Sequence, residues 1–591
     1  MALRAAKQLY PQLEISFLAR ERFSAAACRV PWIKAVIPLS TDALLGPVLS
    51  GEKNEVEALA DIASWAAPLA KEPWDMIINW SYSEASSYLT GLLPGRVKLG
   101  YTRRSDGSFY GADGWSHYIQ AIIQGGVSQD IHLTDILTTQ LLTALQIHLG
   151  EPFPNGNAQV TSKTFFNLIL SESQSLLDQM DPLRKWITIQ IGCGQESKTW
   201  DVKNWVKLAL WVLGRNPEHG IVVLGGKEDR VKSEAFLQEF SATAPSLVSS
   251  LLVWVGETSF DLWASAISKS QWLFSCDTAA IHLASVLGTR VLNVSVGPVR
   301  FSETGPYGNG HYVVTSGLAC EACLSASIQT QHTCRENVSP EAVYGVWAYA
   351  SREWSHFRQI PLEKYFSQLG WARHLESVLV FRSRIRNSHD GGGVVYDPVN
   401  KQEASMRDWT AKVMGHIARF WYCGWTPPVG QELKRESINP LLVQQLRSLQ
   451  ESTEVLSKIF LQAEKTASQL NRKGSSLKSE NIMGVGDREE LQHLGNALAD
   501  LEDLIERVVK THPPLLGFFH MQKVLMHNLR GTHVAELGKE SASNYRQLYE
   551  GVQIYKDWVE FTLKLVKPVA VKPKNPLLEC HSKFPGKDLL P

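Results

Sequence analysis

Between Trp186 and Val314 the chain alternates short, continuous apolar runs with amphipathic stretches, and each run ends in glycine or an acidic residue. Trp186–Ile191 is followed by Gly192-Cys193-Gly194, Ile221–Leu224 by Gly225-Gly226, and Leu251–Val255 by Gly256. Gln271–Ser275 is followed by Cys276-Asp277, and Arg290–Val296 by Gly297-Pro298. Apolar runs of about four to seven residues without polar alternation are strands buried on both faces. The intervening Trp200–Leu213 places Trp205, Leu208, Trp211 and Val212 on one helical side, and Phe236–Phe240 and Phe260–Ile267 belong to further helices. This pattern predicts a parallel sheet covered by helices on both faces.

In such sheets ligands bind beyond the carboxyl ends of the strands, where these glycines fall. Tight βα turns also use glycine for its conformational freedom alone, so both readings stand on local grounds. The stretch Cys276–Ala284 is the most pointed case. Asp277 is expected to cap a helix that closes at Gly288, and Thr278, with the amides of the first turn, faces the crevice. A helix N-terminus there favours an anion such as a phosphate. His282 lies one turn in; a plain cap and a satisfied histidine are the simpler alternative. In Gly192–Trp200 the glycine turn leaves backbone amides open and Lys198 adds a full charge, a pair suited to a diphosphate leaving group. A solvated lysine at a helix start is the competing reading, and no Walker sequence is present. In Gly225–Arg230, Glu228 or Asp229 is placed to accept from ribose hydroxyls, or to be a solvated charge run. Cys320, Cys323, His332 and Cys334 have zinc-ligand chemistry, but their spacing is not that of a standard zinc motif.

The N-terminal third reads as a second, more weakly patterned α/β unit, with strands at Leu13–Leu18, Ala35–Pro38, Met76–Trp80 and Val97–Tyr101. Helices are expected at Glu55–Ala67, Ser81–Leu93 and Thr134–His148, followed by a linker near 151–163. Beyond about 340, Ser377–Arg386 and Gly393–Tyr396 read as a β-hairpin around a glycine-rich loop. The 4-3 spacing of Leu442, Leu446, Leu449, Thr453, Leu456, Phe460, Ala463, Ala467 and Leu470 predicts a helical bundle. Leu491, Leu494, Leu498, Leu501, Ile505 and Val508 continue it, with Asn471–Gly486 as the turn. Helices over Leu516–Leu529 and Ser541–Val566 and a proline-rich, poorly ordered tail complete the chain.

Bulk properties exclude several classes. With 59 Lys plus Arg against 59 Asp plus Glu, electrostatics give no reason to expect a nucleic-acid partner. No apolar run approaches the roughly 18 residues that span a bilayer, and the start does not read as a signal peptide. Eight cysteines, mostly scattered, fit a reducing compartment. Nineteen Trp serve core packing first, and secondarily sugar or membrane-interface contact. The expectation is a cytoplasmic multidomain protein.

The ordered set Gln190–Gly194, Ser197–Trp200, Leu224–Gly226, Gly256–Ser259, Asp277–Ala284, Gly305–Gly308 and Cys320–Cys323 resembles glycosyltransferase family 9, the ADP-heptose:lipopolysaccharide heptosyltransferases. The resemblance runs from residue 1 to about 345. It implies an α/β fold of GT-B type: a Rossmann-like acceptor domain over 1–160 lacking its first strand, and a nucleotide-sugar domain over 161–345. A connecting helix and hairpin over 346–410, a mostly helical bundle over 411–570 and a disordered tail over 571–591 follow. It implies inverting, metal-independent transfer of a heptose from ADP-heptose to a lipopolysaccharide core or related lipid-linked oligosaccharide, without a cofactor. The location implied is cytoplasmic, with peripheral contact at the inner membrane. Lys198 would neutralise the diphosphate, with Gly194, Ser197 and Thr199 beside it. Asp277, Thr278, Ala279 and His282 would line the donor, and Glu228 or Asp229 would meet the nucleoside. Two departures stand out. Ala279 replaces the family's usual glycine, adding a methyl where a phosphate approaches backbone. Met1–Ala5 resembles the middle of the family's first helix, so the preceding strand and the Gly-Asp loop carrying the expected general base are not seen. Loss of a base costs about 10²–10⁴-fold. The expectation is a start further upstream; the alternative is a catalytically weak relative whose helical half binds a partner.

Overall fold

The computed structural model describes residues 1–150, 174–318, 333–352, 360–386, 392–400, 405–424, 438–479 and 484–565. The expected linker near 151–163 and tail over 571–591 lie outside the described residues. The first α/β unit holds two small sheets. Strands β1 (Ile15–Arg20) and β2 (Ile33–Leu39) form a parallel pair. Strands β3 (Trp74–Asn79) and β4 (Gly95–Arg103) form a second parallel pair, with β5 (Phe109–Gly111) antiparallel on β4. Most of β1 is only half-buried, which is why its sequence pattern is weak. The helix Ala2–Leu9 packs on Leu133–Leu149 through Ala2, Ala6, Tyr10, Leu141 and Leu145.

The second unit is one eight-stranded sheet. Its strands are β6 (Lys185–Gln190), β7 (His219–Leu224), β8 (Leu251–Val253), β9 (Trp272–Ser275), β10 (Arg290–Ser295), β11 (Tyr312–Ser316), β12 (Val378–Ile385) and β13 (Val394–Pro398). The order is β13-β12-β11-β10-β9-β6-β7-β8, with β6 to β11 parallel and β12 and β13 antiparallel. Alternate residues of β7 feed opposite cores: Ile221 and Val223 join one helical layer, Val222 and Leu224 the other. Both faces are therefore dry, and the continuous apolar runs have their reason. The hairpin expected to connect two domains instead extends this sheet, because β12 hydrogen-bonds along β11.

The helical region differs from its sequence reading in two ways. The helix Pro440–Ser479 runs through most of the expected turn, and its neighbour starts at Val485. Its closest partner is the helix Val534–Leu565, where Gly538 meets the backbone of Asn471 and Ala467, and Gly474 meets Ala535. A side chain at either glycine would hold the helices apart. Every seam residue from Leu442 to Ala467 is buried as the spacing requires. The bundle is also not a free module: its core includes Trp115, Tyr118, Ile119, Ile122, Val127 and Ile131 of the first unit. Polar ties reinforce the joint. Gly111 donates to Asn528 Oδ1 at 2.8 Å, and His520 Nδ1 lies 3.1 Å from the Ala121 carbonyl, within a π-helical turn over Ile119–Ile123. Asp130 faces Arg386 of the second unit and Arg419 of the helix Met406–Cys423. Among the described residues no helix is long and apolar enough to cross a membrane.

Candidate functional site

The chain leaves β6 outward to β7 and β8, then returns to lay β9 on the other side of β6. That reversal opens a crevice between the carboxyl ends of β6 and β9. Gln190 pairs with Ser275, so Gly192 and Asp277 stand level just beyond the sheet. Lys198, in a 3-10 turn at Glu196–Lys198, places Nζ 3.5 Å from Asp277 Oδ2. Three α-helices and three strands separate these residues along the chain, and the switch point brings them together. Thr304 Oγ1 reaches Asp277 Oδ1 at 3.5 Å, and Cys193 Sγ reaches the Asp277 carbonyl at 3.5 Å.

The helix after β9 is Ala279–Leu287, closed by left-handed Gly288 as expected. Its N-cap is Thr278 rather than Asp277: the Thr278 hydroxyl accepts from Ala280 N at 3.3 Å and meets Ser275 Oγ at 2.9 Å. The threonine is extended (φ −142°, ψ 169°) and commits its oxygen to the helix. Asp277 is thereby left one residue outside, facing Lys198. Ala279 is exposed at the helix start, and His282 opens on the crevice one turn later. The protein around His282 lowers its pKa through desolvation, outweighing the opposing pull of Asp277.

The structure separates the two acidic candidates after β7. Asp229 is buried, and its Oδ2 accepts from Gly226 N at 2.9 Å. A Cβ on Gly192 would sit 1.8 Å from that carboxylate, so Asp229 fills the space under the first glycine turn. Burial raises its pKa, with the Gly226 amide opposing. Asp229 is therefore a structural cap and is closed to a nucleoside, whereas Glu228 is exposed at the same strand end. Thr199 is also turned away: it is buried, and its hydroxyl donates to the Gln195 carbonyl at 3.3 Å. Gly194 is exposed with no atom within 4 Å of a built Cβ, and Ser197 is half-buried beneath Gly297.

Several contributors carried no sequence signal. Lys232 Nζ binds Glu196 Oε2 at 2.9 Å, and Arg335 Nη1 donates to the Glu196 carbonyl at 3.1 Å. With Lys198 they ring the 192–199 turn with cations. The loop bearing Thr304 is fixed from both sides. Phe301 packs on Phe381 and Tyr396 of the hairpin, and the Tyr396 hydroxyl donates to the Pro306 carbonyl at 3.2 Å. From the first unit, His132 Nε2 donates to the Gly305 carbonyl at 3.0 Å, its Nδ1 being taken up by Thr134 N. Asp135 accepts from the Tyr307 hydroxyl at 2.6 Å, and Arg300 donates to the carbonyls of Val127 and Gly126. At another point of contact between the units, Arg29 forms a two-pronged ion pair with Asp261 at 2.8–3.2 Å. Cys320, Cys323 and His332 lie outside the described residues; Cys334 is a half-buried free thiol, and no metal-holding cluster occurs among the described residues.

The sequence model of glycosyltransferase family 9 (heptosyltransferase) matches residues 62–333. Similar solved structures include a family 9 glycosyl transferase from Veillonella parvula DSM 2008, 16% identical, covering 59% of this chain and 92% of that one, with a TM-score of 0.47. Another is E. coli ADP-heptose lps heptosyltransferase II, 15% identical over 59% and 93% of the two chains, TM-score 0.42. E. coli heptosyltransferase WaaC with ADP is 16% identical over 52% and 85%, TM-score 0.37. No curated protein matches the sequence.

Proposed function

Because this chain carries a glycosyltransferase family 9 (heptosyltransferase) domain over residues 62–333 and is a glycosyltransferase, we propose that it moves a heptose from ADP-heptose to a lipopolysaccharide core or related lipid-linked glycan. The observation that carries the reading is Lys198 beside Asp277 at the β6/β9 switch point, ringed by open backbone and further cations. The donor diphosphate lies over the 192–199 turn and the N-terminus of Ala279–Leu287, whose first amides have no partner within the helix. Lys198 turns from Asp277 to the phosphates. As the glycosidic bond breaks, negative charge builds on the ADP leaving group, and Lys198 and the amides stabilise it without a metal. Asp277, released, accepts from hydroxyls of the sugar; His282 and Ala279 border the same space, and Ser197 holds the turn. Glu228 accepts from the ribose. The acceptor hydroxyl attacks from the face opposite the leaving group, inverting the anomeric centre, and its proton passes to a general base. The acceptor is met at the cytoplasmic face of the membrane, to which the chain binds peripherally.

Donor binding tests this without depending on turnover. A ligand at about 100 times its Kd stabilises a fold by about 2.7 kcal/mol, so ADP-heptose or ADP raises the melting temperature while UDP- and GDP-sugars do so less. Lys198→Ala removes the shift and leaves the unliganded melt in place, because the side chain is partly exposed and pairs with Asp277 at the rim of the crevice. An unaltered shift in that variant would show that the diphosphate lies elsewhere.

A further inference from the structure

The helices Thr41–Leu49 and Glu55–Ala66 of the first unit form a hairpin that is mostly upstream of the family match. Leu45, Val48 and Leu49 follow i, i+3, i+4 on the first, and Glu55, Ala58, Leu59 and Ile62 follow i, i+3, i+4, i+7 on the second. These stripes line a groove of about 330 Å³. The groove opens outward: Leu49 is 86% exposed and Leu59 65%, and the helix Thr41–Leu49 has no buried residue at all. An apolar stripe on a helix gains its stability by burial, yet Leu45, Leu49 and Leu59 of these stripes stay 46%, 86% and 65% exposed.

The charges around the groove identify what fits it. Residues 42–62 carry Asp42, Glu52, Glu55, Glu57 and Asp61 against Lys53 alone, in a chain that is neutral overall. Lys53 is committed to Asp61 at 2.5 Å, and Glu57 accepts from the Asn54 amide. Asp42, Glu52 and Glu55 have no cationic partner among the described residues. An anionic bilayer would be repelled by this rim, since surface-binding patches carry Lys and Arg. A second copy docking groove to groove would set the same carboxylates against each other. We propose that the groove receives an amphipathic helix of a partner protein, its apolar face on Leu45, Leu49 and Leu59 and its flanks basic. This is the helix-in-groove mode, with charge selecting the partner and apolar contact holding it.

The test uses the full chain and a labelled helical peptide of about 16 residues, roughly four turns, with leucines at i, i+3, i+4 and i+7 and lysines flanking them. Fluorescence anisotropy should show saturable binding that weakens as salt rises. Burying one leucine side chain shifts a binding equilibrium by about tenfold or more, so Leu49→Asp and Leu59→Asp should each weaken binding by at least that factor. Glu55→Lys should weaken the basic peptide and strengthen one with glutamate flanks. All three positions are exposed, so the unliganded melts stay unchanged and confirm folding. Equal binding of the acidic-flanked peptide by the native chain overturns the charge argument. No peptide binding at all overturns the proposal, as does Leu49-dependent binding to phosphatidylcholine–phosphatidylglycerol vesicles in place of peptide. A concentration-dependent dimer abolished by Leu49→Asp would overturn it too, by assigning the groove to a second copy.

Discussion

Replacing Gly297 by alanine strikes the point where two loops of the donor crevice touch. Gly297 follows β10 with φ +76°, and a Cβ there would stand 2.1 Å from the Ser197 carbonyl oxygen and 3.4 Å from Lys198 Cα. Carbon and oxygen settle no closer than about 3.3 Å, so the Ser197–Lys198 turn must retreat by about 1 Å. The left-handed conformation costs about 1–2 kcal/mol for a residue with a Cβ, and overpacking adds about 1–3 kcal/mol. Gly310 separates the two costs: its φ is +79°, and no atom lies within 4 Å of the built Cβ. Gly310→Ala therefore has the strain without the collision. Displacement of a positioning group by about 1 Å is enough to cost about 10²-fold in an active site. Calorimetric titration with ADP should show at least a tenfold loss of affinity in Gly297→Ala and native affinity in Gly310→Ala, with both melting earlier than the native chain. Unchanged ADP affinity in Gly297→Ala, or identical behaviour of the two variants, would refute the argument that this contact sets Lys198.

The ion pair between Arg29 and Asp261 joins the two α/β units through three hydrogen bonds to a largely buried carboxylate. A double-mutant cycle of Arg29→Ala and Asp261→Ala in urea should give a coupling of about 1–2 kcal/mol; additivity would mean solvent replaces the pair freely. Acid should weaken the fold early. Desolvation holds His132 to about 3 and His311 and His416 to about 4, whereas unfolded histidine titrates near about 6.5. Between about pH 6.5 and 4 the unfolded chain binds more protons, so stability is full above that window and falls as pH drops through it. Urea midpoints that stay level across that range would contradict the buried, neutral assignment. In the bundle, Gly538→Ala puts a Cβ 2.5 Å from Asn471 N, and denaturation should reveal a loss of about 1–3 kcal/mol.

Legibility in the sequence followed burial. Strands β6, β7, β9 and β10 were readable because both faces are dry, leaving no polar alternation to confuse the pattern. Strands β1 and β2 are half-buried, and their signal is correspondingly faint. The helix seam from Leu442 was visible, but its partner was not, since an apolar stripe states that it will be covered and not by what. Asp277 and Thr278 are both good capping residues, and Glu228 and Asp229 both suit a ribose contact. Neighbours of like chemistry are told apart only when backbone angles turn one of them inward, as happens to Thr278 and Asp229.

The order of residues along the chain was enough to specify the parallel sheet, the glycine-marked ligand edge, the helix from Ala279 to Gly288 and the apolar seam of the bundle. Each of these is written in the local period of apolar residues and in the turn chemistry that ends it. Folding was required to bring Lys198 to Asp277, to bury Asp229 as a cap, to lay the hairpin on the second sheet, and to give the bundle a core shared with residues 115–136. These depend on strand order and on which surfaces meet across long separations in the chain. A local pattern states that a face will be buried, and the folded whole supplies the face that buries it.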